Sequence, residues 1–126
     1  MEKQQIVERS VVRDSADTFV KGLDLAAVIL NSECPEGFHC SRIVLKSRPF
    51  AEGSRLIRSQ ASGAPEAIAE AERLIAANPD FSPVRISLKR DPKGSRTFVE
   101  IWFGDEGESG YCDVDVWFQR RTDVSA

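Results

Sequence analysis

The chain has 126 residues, 41% of them hydrophobic and 29% charged, with a formal net charge of −3. That length suits one domain with its own core, and that composition excludes disorder over the whole chain. The mildly acidic balance gives no overall attraction to nucleic acid, although twelve of the 17 basic residues are Arg, the side chain suited to forked contacts with carboxylate or phosphate.

The N-terminus is polar, with Glu8, Arg9 and Arg13 interrupting any apolar run, so no secretory signal is expected there. No stretch approaches the ~20 apolar residues that a membrane helix needs. A cytoplasmic location follows as the default, with the three cysteines reduced and no membrane partner.

Residues 4–13 fit either a strand or a helical turn. Asp14 and Ser15 then offer N-cap oxygens, and Phe19, Leu23, Ala27 and Leu30 recur at helical spacing. A helix is therefore expected over about 15–30, with Gly22 as its weak point and the run Val28-Ile29-Leu30 leaving a strand as the alternative. Pro35 and Gly37 end that element.

Residues 41–46 read as a strand with Ile43 and Leu45 on one face and Arg42, Val44 and Lys46 on the other. A loop through Pro49 and Gly53 leads to a short edge strand at 55–58. The clearest helix runs over 65–77: Pro65 suits the first turn, Asn78-Pro79 stops it, and Ile68, Ala71, Leu74 and Ile75 make one apolar stripe.

Over 84–119 three alternating segments follow. Val84, Ile86 and Leu88, then Thr97, Val99, Ile101 and Phe103, then Cys112, Val114, Val116 and Phe118 point inward; Phe98, Glu100, Trp102, Tyr111, Asp113, Asp115 and Trp117 point outward. Asp91-Pro92-Lys93-Gly94 and the Gly-rich 104–110 supply the turns. Pairing Ile101 with Val114 or Cys112 keeps the aliphatic sets together, at the cost of setting Glu100 against Asp113 or Asp115. The expected fold is α+β in two layers: an antiparallel sheet with a C-terminal three-stranded meander, packed against one or two helices. One domain spans 1–119, with a polar tail at 120–126. No internal repeat is evident.

Chemistry-bearing residues are few. Cys34, His39, Cys40 and Cys112 match the ligand count of a structural zinc site, but their spacing is not that of a zinc knuckle, and no metal or other cofactor is expected. A cysteine nucleophile would need an imidazole within reach, and neighbouring His39 and Cys40 do not supply that geometry, so no catalytic residue is assigned. The acidic run 105–108 lacks the order of a calcium loop and reads as a solvated turn.

Two surface features remain. Arg42, Lys46, Arg48, Arg55 and Arg58 make the 42–58 segment basic, a stripe able to meet nucleic acid or phosphate. The aromatic and acidic set Phe98, Trp102, Tyr111, Asp113, Asp115 and Trp117 forms the leading candidate for partner binding, because aromatics bury large area at low entropic cost. The expected function is a non-catalytic protein-interaction module of inhibitor, immunity or adaptor type. One alternative is a small-molecule binder or enzyme with a pocket between sheet and helices, lined by Phe81, Val99, Ile101 and Phe103; another is nucleic-acid binding through the basic segment.

Overall fold

The computed structural model describes residues 4–12, 18–47, 53, 55–93, 96–104 and 111–121. Six strands and two helices follow in the order β1 (Gln4–Val12), α1 (Thr18–Ser32), β2 (Phe38–Ser47), β3 (Arg55–Ala61), α2 (Ala64–Ala77), β4 (Ser82–Arg90), β5 (Thr97–Gly104) and β6 (Tyr111–Arg120). All strands join one antiparallel sheet in the order β1-β6-β2-β4-β5-β3, and both helices pack on the same side of it. This is the α+β two-layer class. No described helix is long and apolar enough to cross a membrane.

Strand alternation sets the core. Val84, Ile86, Leu88, Val99, Ile101, Phe103, Val114, Val116 and Phe118 are all buried, joined by Ile43, Leu45 and Cys112. Against them α2 lays Ala67, Ile68, Ala71, Leu74 and Ile75, the expected stripe extended by one residue. In α1 the buried line is Phe19, Leu23, Ala26 and Ile29, while Ala27 and Leu30 are only half-buried and Val28 faces solvent. Gly22 is where that helix comes closest to the sheet: a Cβ there would lie 2.7 Å from Leu45 Cδ2 and 3.1 Å from Cys112 Sγ. The glycine that weakens the isolated helix thus lets the folded one settle onto β2 and β6. Asp14 and Ser15 lie outside the described residues.

The three C-terminal strands form where alternation places them, but they are not a meander. β4 and β5 pair as a hairpin, whereas β6 pairs with β1 and β2 and is separated from β5 by β2 and β4. Alternation fixes which face a residue takes and leaves its neighbours open, because every strand here alternates in the same way. The expected apposition of Glu100 with Asp113 or Asp115 therefore does not arise. Glu100 lies opposite Ser87 and Arg58, and it accepts a hydrogen bond from Arg58 Nε at 2.8 Å. β6 also runs to Arg120, inside the expected tail, and Arg121 N–H still bonds Gly37 O at 2.9 Å; residues 122–126 lie outside the described set.

The sheet order contains a two-fold pattern. β1 and β2 run parallel to each other and flank β6, with α1 above; β3 and β4 run parallel and flank β5, with α2 above. The sequence carries the same duplication. Arg42-Ile43-Val44-Leu45-Lys46 in β2 matches Arg85-Ile86-Ser87-Leu88-Lys89 in β4, and Val99-Glu100-Ile101-Trp102-Phe103 in β5 matches Val114-Asp115-Val116-Trp117-Phe118 in β6. The chain does have an internal repeat. Its copies are short, separated by unlike segments, and linked in a different order, which hides them from a search for a fixed period.

Candidate functional site: the open face of the sheet

Both helices cover one side, so the outward residues of all six strands lie on a face that neither helix touches. Strand register arranges them in three rows. The first runs Ile6, Trp117, Arg42, Lys89, Phe98, Gln60 from β1 across to β3. The second runs Glu8, Asp115, Val44, Ser87, Glu100, Arg58, and the third Ser10, Asp113, Lys46, Arg85, Trp102, Leu56.

At the β2–β4 seam, cations face cations. Arg42 lies opposite Lys89, and Lys46 opposite Arg85. Like charges directly opposed across a strand pair destabilise a sheet. Each arginine leans away from its lysine and onto the tryptophan on its other side: Arg42 Cζ sits 5.1 Å from the Trp117 ring centroid and Arg85 Cζ 5.3 Å from that of Trp102. Such stacks contribute about 0.5–1 kcal/mol at exposed sites. The register shifts at Cys40/Arg42 against β6 and at Pro83/Arg85 against β5, so a bulge precedes each stacked arginine in the same place of the repeat. Bulges bend a strand and re-aim its side chains. Val44 and Ser87, between the two cation pairs, are buried to 5% and 8% exposure although no helix covers them, whereas Lys46 and Lys89 are exposed. The seam is a low floor walled by long cationic side chains.

Acids gather toward β1. Glu8, Arg9, Ser10, Lys46, Asp113 and Asp115 line an open cleft of about 610 Å³. Ser10 Oγ donates to Asp113 Oδ1 at 2.9 Å, and Glu8 stands directly opposite Asp115. Burial, then the charges of Glu8 and Asp113, raise the Asp115 carboxyl above its ordinary value, against the pull of Lys46.

The sequence-expected set is therefore brought together on one face, but not as one patch. Trp117, Asp113, Asp115 and Tyr111 belong to β6; Phe98 and Trp102 belong to β5, across β2 and β4. Phe98 and Tyr111 are exposed, while Trp102 and Trp117 are half-buried beneath their arginines. The basic 42–58 segment does not form a stripe. Arg42 and Lys46 stand at the centre; Arg58 lies on edge strand β3 bound to Glu100; Arg55 shares the inward phase of Phe103 and stacks on Phe81 at 5.1 Å; Arg48 lies outside the described residues. Reading by segment missed Arg85 and Lys89, the cations that face Arg42 and Lys46. The duplicated Arg-Ile-x-Leu-Lys was the signal for them.

The remaining candidates are dispersed. Cys40 lies opposite Phe118 and Cys112 opposite Ser47, toward the other end of the same strand pair and roughly 20 Å away by strand rise. Among the described residues no three His, Cys, Asp or Glu gather as a metal cluster. All three cysteines are free thiols. Burial raises Cys34 and pushes Cys40 up to about 12, the opposite of an activated thiolate. Residues 105–108 lie outside the described set. Val99, Ile101 and Phe103, expected to line a pocket, are fully buried core, and Phe81 packs edge-on to Phe103 at 6.4 Å between ring centroids. No protein-family model, curated protein or solved structure matches the chain.

Proposed function

We propose that this protein is a non-catalytic interaction module, of the inhibitor, immunity or adaptor kind, that docks a protein partner on the open face of its sheet. One observation carries the reading: a face with no need to be charged in its centre holds two opposed cation pairs, each bracketed by a tryptophan. Folding alone gains nothing from placing Lys89, which has Phe98 on its other side, against Arg42; Lys46 against Arg85 is relieved in part by Asp113 across β6. Aromatic rings beside arginines are the residue types enriched where protein surfaces meet. Three cysteines left as free thiols support a reducing, cytoplasmic setting for the module.

The test uses the two tryptophans, the only ones in the chain. Affinity capture from the native host is run with wild type, Trp102→Ala and Trp117→Ala, each checked by circular dichroism for its fold. Loss of one captured protein in both variants is expected. Full retention by both folded variants would remove the open face from consideration.

A further inference from the structure

The open face is built twice. Trp117, Arg42 and Lys89 in one row correspond to Trp102, Arg85 and Lys46 in another, related by a two-fold axis through the seam between Val44 and Ser87. Asp115 corresponds to Glu100 on either side of Val44 and Ser87 in the middle row, Ile6 to Leu56 at the sheet edges, and the bulge before Arg42 to the bulge before Arg85. A duplicated motif could survive for folding alone, but the inward half of each copy, Ile43 and Leu45 or Ile86 and Leu88, already does that task. What the outward half repeats is a cation set against a cation across the seam, with Asp113 on the far side of Lys46 and Phe98 on the far side of Lys89.

We infer that the two triads are related anion-binding subsites, and that together they hold an acidic segment of a protein partner carrying two groups of carboxylates. This rests on the docking role proposed above and specifies what the face recognises. Arg42 and Lys46 are four residues apart on one strand, which sets the subsites roughly 13 Å apart. An extended segment with acidic residues at i and i+4 has the same spacing. Val44 and Ser87 between them are shorter than the flanking Arg and Lys side chains, which leaves no long side chain at the centre of the seam. In each triad the arginine is held by stacking on its tryptophan, which lowers the entropic cost of meeting a carboxylate; the exposed lysine completes the pair. A carboxylate between the two cations turns their repulsion into attraction.

The same face argues for a protein over a nucleic acid. Glu8, Asp113, Asp115 and Glu100 flank the cationic centre, and the chain is negative overall. A phosphate backbone carries one sign along its whole length and meets those acids as well. A protein can set its own basic side chains over the acidic flank and its acids over the seam.

Since both tryptophans lie under the arginines of this face, intrinsic fluorescence reads its occupancy. The probes are a Ser/Gly peptide bearing Glu-Glu pairs four residues apart, single-stranded oligothymidylate, and dilution of the protein alone, all at low ionic strength. A saturable emission change is expected with the peptide, weakening as salt rises, and none with the oligonucleotide or on dilution. Lys46→Gln and Lys89→Gln, both at exposed positions, should each weaken the peptide by about threefold to tenfold, Lys89→Gln the more because Lys46 also faces Asp113. Absence of a saturable change, tighter binding of the oligonucleotide, self-association on concentration, or an effect from only one of the lysines would overturn the inference. Should capture of a partner depend on the tryptophans but not on either lysine, the docking face stands and the acidic segment falls.

Discussion

Ile101 and Trp102 are neighbours on β5 and obey different rules. Ile101 points to the helices, where it is fully buried among α2 side chains and the aliphatic residues of the adjoining strands. Trp102 points to the open face, half-buried, with the Arg85 guanidinium over its ring. The covered face resolves its interactions: Glu70 on α2 accepts bonds from Ser59 and Arg73, and the Arg73 contacts hold its carboxyl down to about 2. The open face leaves conflicts in place, with two opposed cation pairs, Glu8 against Asp115, and the Arg42 Nε buried with no acceptor among the described residues. A fold needs one well-packed face. Conflicts kept on the other point to a use beyond folding.

Truncation should separate the two faces most sharply. Ile101→Ala is expected to cost about 2–5 kcal/mol in urea denaturation, as buried aliphatic truncations do, while Phe98→Ala on the same strand should cost under about 1 kcal/mol. Equal losses would mean that the open face is as structural as the core. At the helix–sheet contact, Gly22→Ala gains up to about 1 kcal/mol of helix propensity but overpacks against Leu45 and Cys112, for which about 1–3 kcal/mol is typical. A net loss near 1 kcal/mol is predicted, read as a lower denaturation midpoint.

Carboxylates on the two sides should give opposite pH slopes. Glu70 has a folded value below the ordinary ~4.3 of glutamate, so its contribution is present above that range and is lost as pH falls toward about 2. Glu70→Gln should therefore destabilise at pH 7, by roughly 0.5 kcal/mol for so exposed a pair, and not at pH 2. Asp115 is shifted upward, so its ionised form is penalised in the folded state above the folded value, and the penalty fades as pH falls through it. Asp115→Asn should stabilise at pH 7 and have no effect once the wild-type carboxyl is protonated. Stability curves of both variants between pH 2 and 8 check the pair.

Much of this architecture was legible in the residues. Period-two alternation placed Ile86 and Leu88 of β4 and the expected inward residues of β5 and β6, though not Pro83, which the bulge sets opposite Phe103; the α2 stripe followed from helical spacing and Pro65. Strand neighbours were not legible, since Val114 satisfies parity against Leu45 as well as against Ile101. That ambiguity concealed the site. With β6 wrongly beside β5, Trp102 and Trp117 merge into one aromatic patch; with β2 and β4 between them, they become the outer walls of a cationic seam. The α1 stripe differs from its expected line at its C-terminal half, where Ala26 and Ile29 face the core in place of Ala27 and Leu30, and Gly22 reads as a helix weakness until the sheet it approaches is known.

If the seam charges serve binding and not folding, Lys89 is the residue that shows it. It is exposed, stands opposite Arg42 on one side and Phe98 on the other, and removing its charge relieves a cation pair without opening the core. Equilibrium denaturation of Lys89→Gln should give a stability equal to wild type or higher by a few tenths of a kcal/mol, about the size of a cross-strand charge effect. A loss of about 1 kcal/mol or more, beyond what exposed surface substitutions show, would contradict the account and make the cation seam a structural element.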